Sequence, residues 1–254
     1  MINFRVVPCL LLYQGGLSKS VRFKRLRYVG DPVNTIRIFN DKGADEIVFL
    51  DIEASTRNAE PDYSIVERLA GECFMPMAYG GGIANVEQAK RIIATGVEKV
   101  VVNSAASPAL IEALANAIGS QSVCVCIDYR RSLFGRLRVA KLRGRTLEAK
   151  SPLALASELE QAGAGEIILQ CIDRDGGRNG YDLDTLRTVA NNVDIPIVAL
   201  GGADSRSDLI AAREAGASAA AAGSQFVFVG EHQAVLVNYP REDQLDEIRG
   251  LTTV

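Results

Sequence analysis

The sequence predicts an α/β fold, a (β/α)8 TIM barrel built from two duplicated half-barrels. Three observations carry that expectation. Short β-branched runs alternate with amphipathic helical stretches, the pattern of βα units around a parallel sheet. There are eight such units, the number that closes a barrel. The chain also repeats itself at an offset of 120 residues. Gly43-Ala44-Asp45-Glu46-Ile47 returns as Gly163-Ala164-Gly165-Glu166-Ile167, Pro76 as Pro196, Gly81-Gly82 as Gly201-Gly202, Gly96 as Gly216 and Ser104 as Ser224. One shared register from 43 to 104 and again from 163 to 224 is a duplicated half, with a period far longer than a solenoid's. The runner-up is an open doubly wound sheet; eight units and the duplication favour closure.

Strands are expected at 5–12, 46–52, 75–79, 99–103, 122–128, 166–172, 195–200 and 218–222. Between them, stretches such as Val86–Ala94 and Asp204–Ala215 place apolar residues at helical spacing. Gly43, Gly96, Gly163 and Gly216 each follow a helical stretch and precede a strand, where a helix-terminating glycine belongs. No linker or low-complexity segment divides the chain, so a single domain over 1–254 is expected.

The 254 residues carry 28 basic and 31 acidic side chains, a formal net charge of −3. That balance argues against holding nucleic acid or an anionic membrane by bulk positive charge. No apolar run approaches the roughly 20 residues needed to cross a bilayer, and Val6–Tyr13 reads as a buried strand rather than a signal segment. Five cysteines form no CxxC pair, so reduced, buried thiols in a cytoplasmic protein are expected. With one histidine, His232, neither a histidine-rich metal site nor a Ser-His-Asp triad is expected. No metal or cofactor is called for.

In such a barrel the chemistry belongs at the C-terminal ends of the strands. There Gly80-Gly81-Gly82 and Gly201-Gly202 follow strands three and seven, while Asn103-Ser104 and Gly223-Ser224 end strands four and eight. Glycines let backbone N–H groups approach an anion, and a following helix N-terminus favours its charge. Two symmetry-related copies suggest two phosphate sites and one ligand spanning the mouth. The loop over 13–30 holds five basic residues, and the segment over 130–150 holds eight, together thirteen of the 28. They are read either as anion-collecting arms or as solvated hairpins, with Leu133 and Phe134 near one tip resembling lid residues. Asp51, Asp128, Asp173 and Asp175 end strands as candidate acids or bases; each could equally bond loop N–H groups or a substrate hydroxyl.

These residues resemble the cyclase subunit of imidazole glycerol phosphate synthase. The resemblance rests on Val7-Pro8-Cys9-Leu10, Phe49-Leu50-Asp51-Ile52, Gly80-Gly81-Gly82-Ile83, Asn103-Ser104-Ala105-Ala106, Asp173-Arg174-Asp175-Gly176 with Gly180-Tyr181-Asp182, and Gly201-Gly202-Ala203. It implies a barrel that docks a glutamine amidotransferase at its N-terminal face and passes ammonia through to a bisphosphorylated ribulosyl-formimino substrate. The products are imidazole glycerol phosphate and an aminoimidazole carboxamide ribotide. It assigns phosphate contacts to Gly81, Gly82, Asn103 and Ser104 at one end, and to Asp175, Gly176, Gly202, Gly223 and Ser224 at the other. Lys19 matches a lysine of the closing first loop, Asp51 joins the substrate-binding set, and Asp128 matches one of two catalytic aspartates. Arg5, Glu46, Lys99 and Glu166 match a ring of alternating charges at the ammonia entrance.

One member departs. The family's second catalytic aspartate falls at Leu11, which cannot move a proton. The segments Gly223–Phe228 and Ala234–Pro240 look like a paralogous branch found with proteins of surface-polysaccharide sugar amidation. The leading expectation is therefore a barrel that partners a glutaminase and conducts ammonia toward a sugar-phosphate-type ligand, with a sugar amidotransferase as a further partner. The alternatives are the cyclase of histidine biosynthesis and a scaffold that only activates its glutaminase.

Overall fold

The computed structural model describes residues 4–251. Eight parallel strands form its centre: β1 (Arg5–Tyr13), β2 (Ile47–Asp51), β3 (Met77–Gly80), β4 (Lys99–Val102), β5 (Val123–Arg131), β6 (Glu166–Cys171), β7 (Ile197–Leu200) and β8 (Ala219–Ala222). Each pairs in parallel with its neighbours in chain order. β8 pairs with β1, with Arg5 opposite Ala219, and β5 pairs with β6, with Asp128 opposite Gln170, so the sheet closes on itself. The (β/α)8 barrel and all eight expected strands are borne out, with ends shifted by at most three residues.

The period-two alternation of each strand sorts side chains between two cores. Val7, Cys9, Val48, Ala78, Val101, Cys124, Cys126, Ile168, Val198, Ala219 and Ala221 fill the barrel lumen. The intervening residues, among them Val6, Leu10, Phe49, Tyr79, Val100 and Ile167, pack outward beneath the helices. The helices begin where the sequence supplies caps. Asp31 accepts from the Asn34 N–H ahead of Pro32–Asp41, and Ser107 and Ser151 do the same ahead of Pro108–Ile118 and Pro152–Gln161, each with proline at the first turn.

The duplication extends to the insertions. β1 and β5 are both nine residues long, outlasting the other strands, and each continues into an antiparallel hairpin. After β1, Gly16–Val21 pairs with Lys24–Gly30; after β5, Leu137–Lys141 turns back on Tyr129–Arg131. Both basic arms of the sequence are thus ordered hairpins on opposite sides of one mouth. At the other end the chain is locked shut by Tyr239, whose hydroxyl donates to the Val6 carbonyl at 2.8 Å and accepts from the Asp45 N–H at 3.1 Å.

Candidate functional site

At the N-terminal opening, Arg5 and Lys99 each bridge Glu46 and Glu166, so the four expected residues form one closed ring of ion pairs. Both Lys99 contacts are 2.9 Å. The carboxylates are buried and the cations are about four-fifths covered. Burial opposes charge on Arg5 and on Lys99, yet the two carboxylates more than offset it and hold both above their ordinary values. Glu98, beside Lys99, instead accepts the Met77 N–H at 2.6 Å and anchors the start of β3.

The opposite mouth holds a cavity lined by Leu11, Leu50, Asp51, Gly80, Gly81, Gly82, Asn103, Ser104, Cys126, Asp128 and Gln170. Gly81 has φ of +143° and Gly82 of +71°, and a Cβ on either would press into the backbone of Asp51 or Ala59. The bare backbone that an anion requires is therefore also the only backbone that fits here. Asn103 donates to the Cys126 carbonyl at 2.9 Å, which fixes its amide at the end of β4. Ser104 donates to the Asn103 side-chain oxygen at 3.0 Å and accepts the Leu142 N–H at 3.0 Å.

Asp128 is 6% exposed at this mouth, and burial pushes its carboxyl up to about 7, against weaker opposing bonds from Cys126 and Asn103. A carboxyl half-protonated near neutrality is suited to give or take a proton. Leu11 lines the same cavity from β1, four strands away and so on the facing wall. The two positions thus face the same space, one with a proton to exchange and one without. Asp51 spends one oxygen on the N–H groups of Glu53 and Ala54, capping the short helix Ala54–Arg57, and Asp173 accepts the Arg131 N–H at 2.8 Å. For these two, the bonding of loop N–H groups is realised.

The second set of glycines lies elsewhere. Gly176, Gly202, Gly223, Ser224, Asp175 and Lys19 do not line that cavity. Gly176, Asp175 and Gly223 sit against the first hairpin, which carries Lys19, while Gly202 packs on Gly180 and Arg174. Lys19 is 6% exposed, and its ammonium lies so close to Gly223 that any side chain there would collide with it. Ser20 donates to Asp175 at 3.2 Å, and Arg22 N–H to the Asp175 carbonyl at 2.9 Å. Burial raises the Asp175 carboxyl, against the pull of Lys19 and Ser20. The first hairpin thus closes over one end of the mouth and reaches the other only through Ser20 and Phe23, which line the cavity wall.

Sequence reading passed over Gln170, which is 4% exposed, and singled out Arg143 only as one charge in a run. Gln170 was legible in principle, since Glu166, Ile168 and Gln170 alternate onto one face of β6. Leu133 and Phe134 are corrected. They stand essentially fully exposed at the far tip of the second hairpin and do not line the cavity. Antiparallel pairing of Arg131 with Leu137 carries that turn outward. Among the described residues no cluster of three or more His, Cys, Asp or Glu could hold a metal, and no helix is long and apolar enough to cross a membrane.

The sequence pattern of a family described as histidine biosynthesis protein matches residues 5–233. A Pseudomonas aeruginosa protein, provisionally named imidazole glycerol phosphate synthase subunit hisF2, is 50% identical over 249 residues, covering 97% of this chain and 99% of the relative. A Leptospira interrogans protein, provisionally named as subunit HisF of the same synthase, is 46% identical and covers 96% and 98%. The Streptomyces coelicolor imidazole glycerol phosphate synthase subunit HisF is 39% identical and covers 91% and 95%.

Proposed function

The chain belongs to the histidine biosynthesis protein family, among the HisF-type cyclase subunits of imidazole glycerol phosphate synthase, and from that premise we propose that it serves sugar amidation in surface-polysaccharide biosynthesis. On this reading it docks a HisH-like glutamine amidotransferase at the Arg5–Glu46–Lys99–Glu166 ring. Ammonia released there passes through the lumen to the mouth, where it meets a phosphorylated small molecule or is handed to a sugar amidotransferase. The single observation that carries the reading is Leu11 across the cavity from Asp128. Cyclisation on the family's pattern needs one group to take a proton while another gives one. Leucine can do neither, and losing one partner of such a pair typically costs about 10²–10⁴-fold.

Everything upstream of that step is retained. The entrance ring is complete, and the lumen behind it is lined by small apolar and thiol side chains that offer a neutral molecule no charged trap. The names of the Pseudomonas aeruginosa relative (hisF2) and of a Vibrio vulnificus relative (hisF3, 44% identical) carry numbers, as copies beside another subunit would.

A second reading, the cyclase of histidine biosynthesis, is favoured by the Asp128 carboxyl alone, which at about 7 could act as acid and base in turn with bound water. Ammonia-dependent cyclisation of the bisphosphorylated ribulosyl-formimino substrate by the purified chain separates the two. The amidation reading expects turnover far below about 1 s⁻¹. Turnover at or above that rate would overturn it in favour of the second.

A further inference from the structure

Above the open end of the mouth sits a turn that the family resemblance leaves without a role. Leu142 and Arg143, neither of them glycine, have φ of 51° and 58°, and Gly144 follows at 73°. Consecutive left-handed residues are costly for L side chains and persist only where surrounding contacts hold them. Here three contacts do so. The Leu142 N–H donates to Ser104 at 3.0 Å, the Arg145 N–H closes the turn on the Leu142 carbonyl at 3.3 Å, and Lys141 pairs with Glu148 at 3.0 Å just behind it. Gly144 leaves just enough room for Ile172 and for Phe23 of the first hairpin, so the two basic hairpins meet over the cavity.

What this strained turn presents is Arg143. Its side chain lines the cavity beside Gly81, Gly82, Asn103 and Ser104, and its guanidinium makes no ion pair or hydrogen bond among the described residues. Three neighbouring cations in the same arm are committed, Lys141 to Glu148, Lys150 to Glu158 and Arg131 to the Gly135 carbonyl, and of the arginines left over Arg143 is the one that lines the cavity. A planar guanidinium sharing a cavity wall with bare glycine backbone and a serine hydroxyl can grip a phosphate from the side its oxygens leave open.

We propose that Arg143 is the anion clamp of this mouth: it closes over the phosphate monoester seated at Gly81, Gly82, Asn103 and Ser104. The proposal rests on the reading of that end as a phosphate site. The Leu142–Ser104 hydrogen bond makes the clamp part of the seat itself, since the serine that ends β4 also sets where the turn can lie. It further explains why the two mouth ends are built differently. One is covered by a lysine carried on the first hairpin, the other by an arginine carried on the second.

Inorganic phosphate is the probe, titrated calorimetrically into the intact chain, with Arg143→Gln compared against Arg145→Gln. Arg145 is two residues away, exposed and absent from the cavity wall, so the two variants lose the same charge from the same arm. Arg143→Gln is expected to weaken phosphate by about tenfold or more, the effect of one charge-assisted bond, while Arg145→Gln changes it by less than about twofold. Equal effects from the two variants would overturn the clamp and leave the phosphate site standing on its glycines. An unaltered protein that takes up no phosphate at millimolar concentration would remove both. Because the titration needs neither ammonia nor a glutaminase, its outcome is independent of whether the barrel serves sugar amidation.

Discussion

The two ends of this barrel spend their charged groups in opposite ways. In the ring at the N-terminal opening each charge is answered by another: two cations, two carboxylates, four contacts. At the C-terminal mouth the buried carboxyl of Asp128 is met by weak bonds from the Cys126 thiol at 3.5 Å and the Asn103 amide, and Leu11 faces it with nothing to offer. A satisfied ring is rigid and holds its shape with or without a ligand. An unsatisfied carboxyl costs stability and persists where it has a task. The difference teaches that the N-terminal opening is closed on itself, whereas the mouth keeps a carboxyl able to exchange a proton.

The largest expected effect comes from giving the mouth the proton-exchanging partner it lacks. Leu11→Asp restores a second carboxyl facing Asp128, and ammonia-dependent cyclisation of the bisphosphorylated substrate should rise by about 10²–10⁴-fold. Adding Asp128→Asn to that protein should remove the gain, because the pair acts as a unit. Steady-state turnover of the two variants and the unaltered chain checks this. A Leu11→Asp protein as slow as the parent would mean that the mouth has diverged beyond its missing partner.

Breaking the ring is the next largest. Lys99→Met leaves two buried carboxylates sharing Arg5 alone, and removing one member of a buried pair costs about 3 kcal/mol. The midpoint of urea unfolding should fall accordingly, with cyclisation from added ammonium salts unchanged. An unfolding free energy within about 0.5 kcal/mol of the parent's would show that the ring contributes little to the fold and is held for gating.

How much of this was legible follows the same division. The family resemblance named the ring, and the repeat supports part of it, since Glu46 and Glu166 are one residue in two copies. The barrel, its closure and the glycine seats were readable without it, since period-two strands and a shared 120-residue register are properties of the chain itself. Arg143 was not, because its role depends on a left-handed turn between two hairpin strands, and nothing in Lys141-Leu142-Arg143-Gly144 announces that backbone except its last glycine. Leu133 and Phe134 misled for a related reason. An apolar pair on a long arm suggests a lid, but that tip stands exposed off the cavity while Arg143 of the following turn lines it. The asymmetric cover was invisible too, since both halves carry equivalent glycines and only the folded hairpin, with Lys19 against Gly223, distinguishes them.

The smallest effect concerns what the unanswered carboxyl costs the fold. In the unfolded chain an aspartate titrates near 3.9, whereas burial lifts Asp128 to about 7 in the folded barrel. Between those values the folded state keeps a proton that the unfolded state has released. Stability from this group is therefore full below about pH 4, declines as pH rises through 7, and is flat above it. Asp128→Asn removes the charge but keeps the size. At pH 8 the variant should be more stable by roughly 2 kcal/mol, less than the full shift would give because the amide accepts the Cys126 and Asn103 bonds less well. For a chain of this length that is a rise of about 5 °C in Tm, shrinking to nothing at pH 4. Subtracting the two curves isolates Asp128 from Asp51 and Asp175, whose carboxyls burial raises in the same direction. A difference that stays constant from pH 4 to 8 would mean that Asp128 is as well answered as the ring, and the contrast between the two ends would collapse.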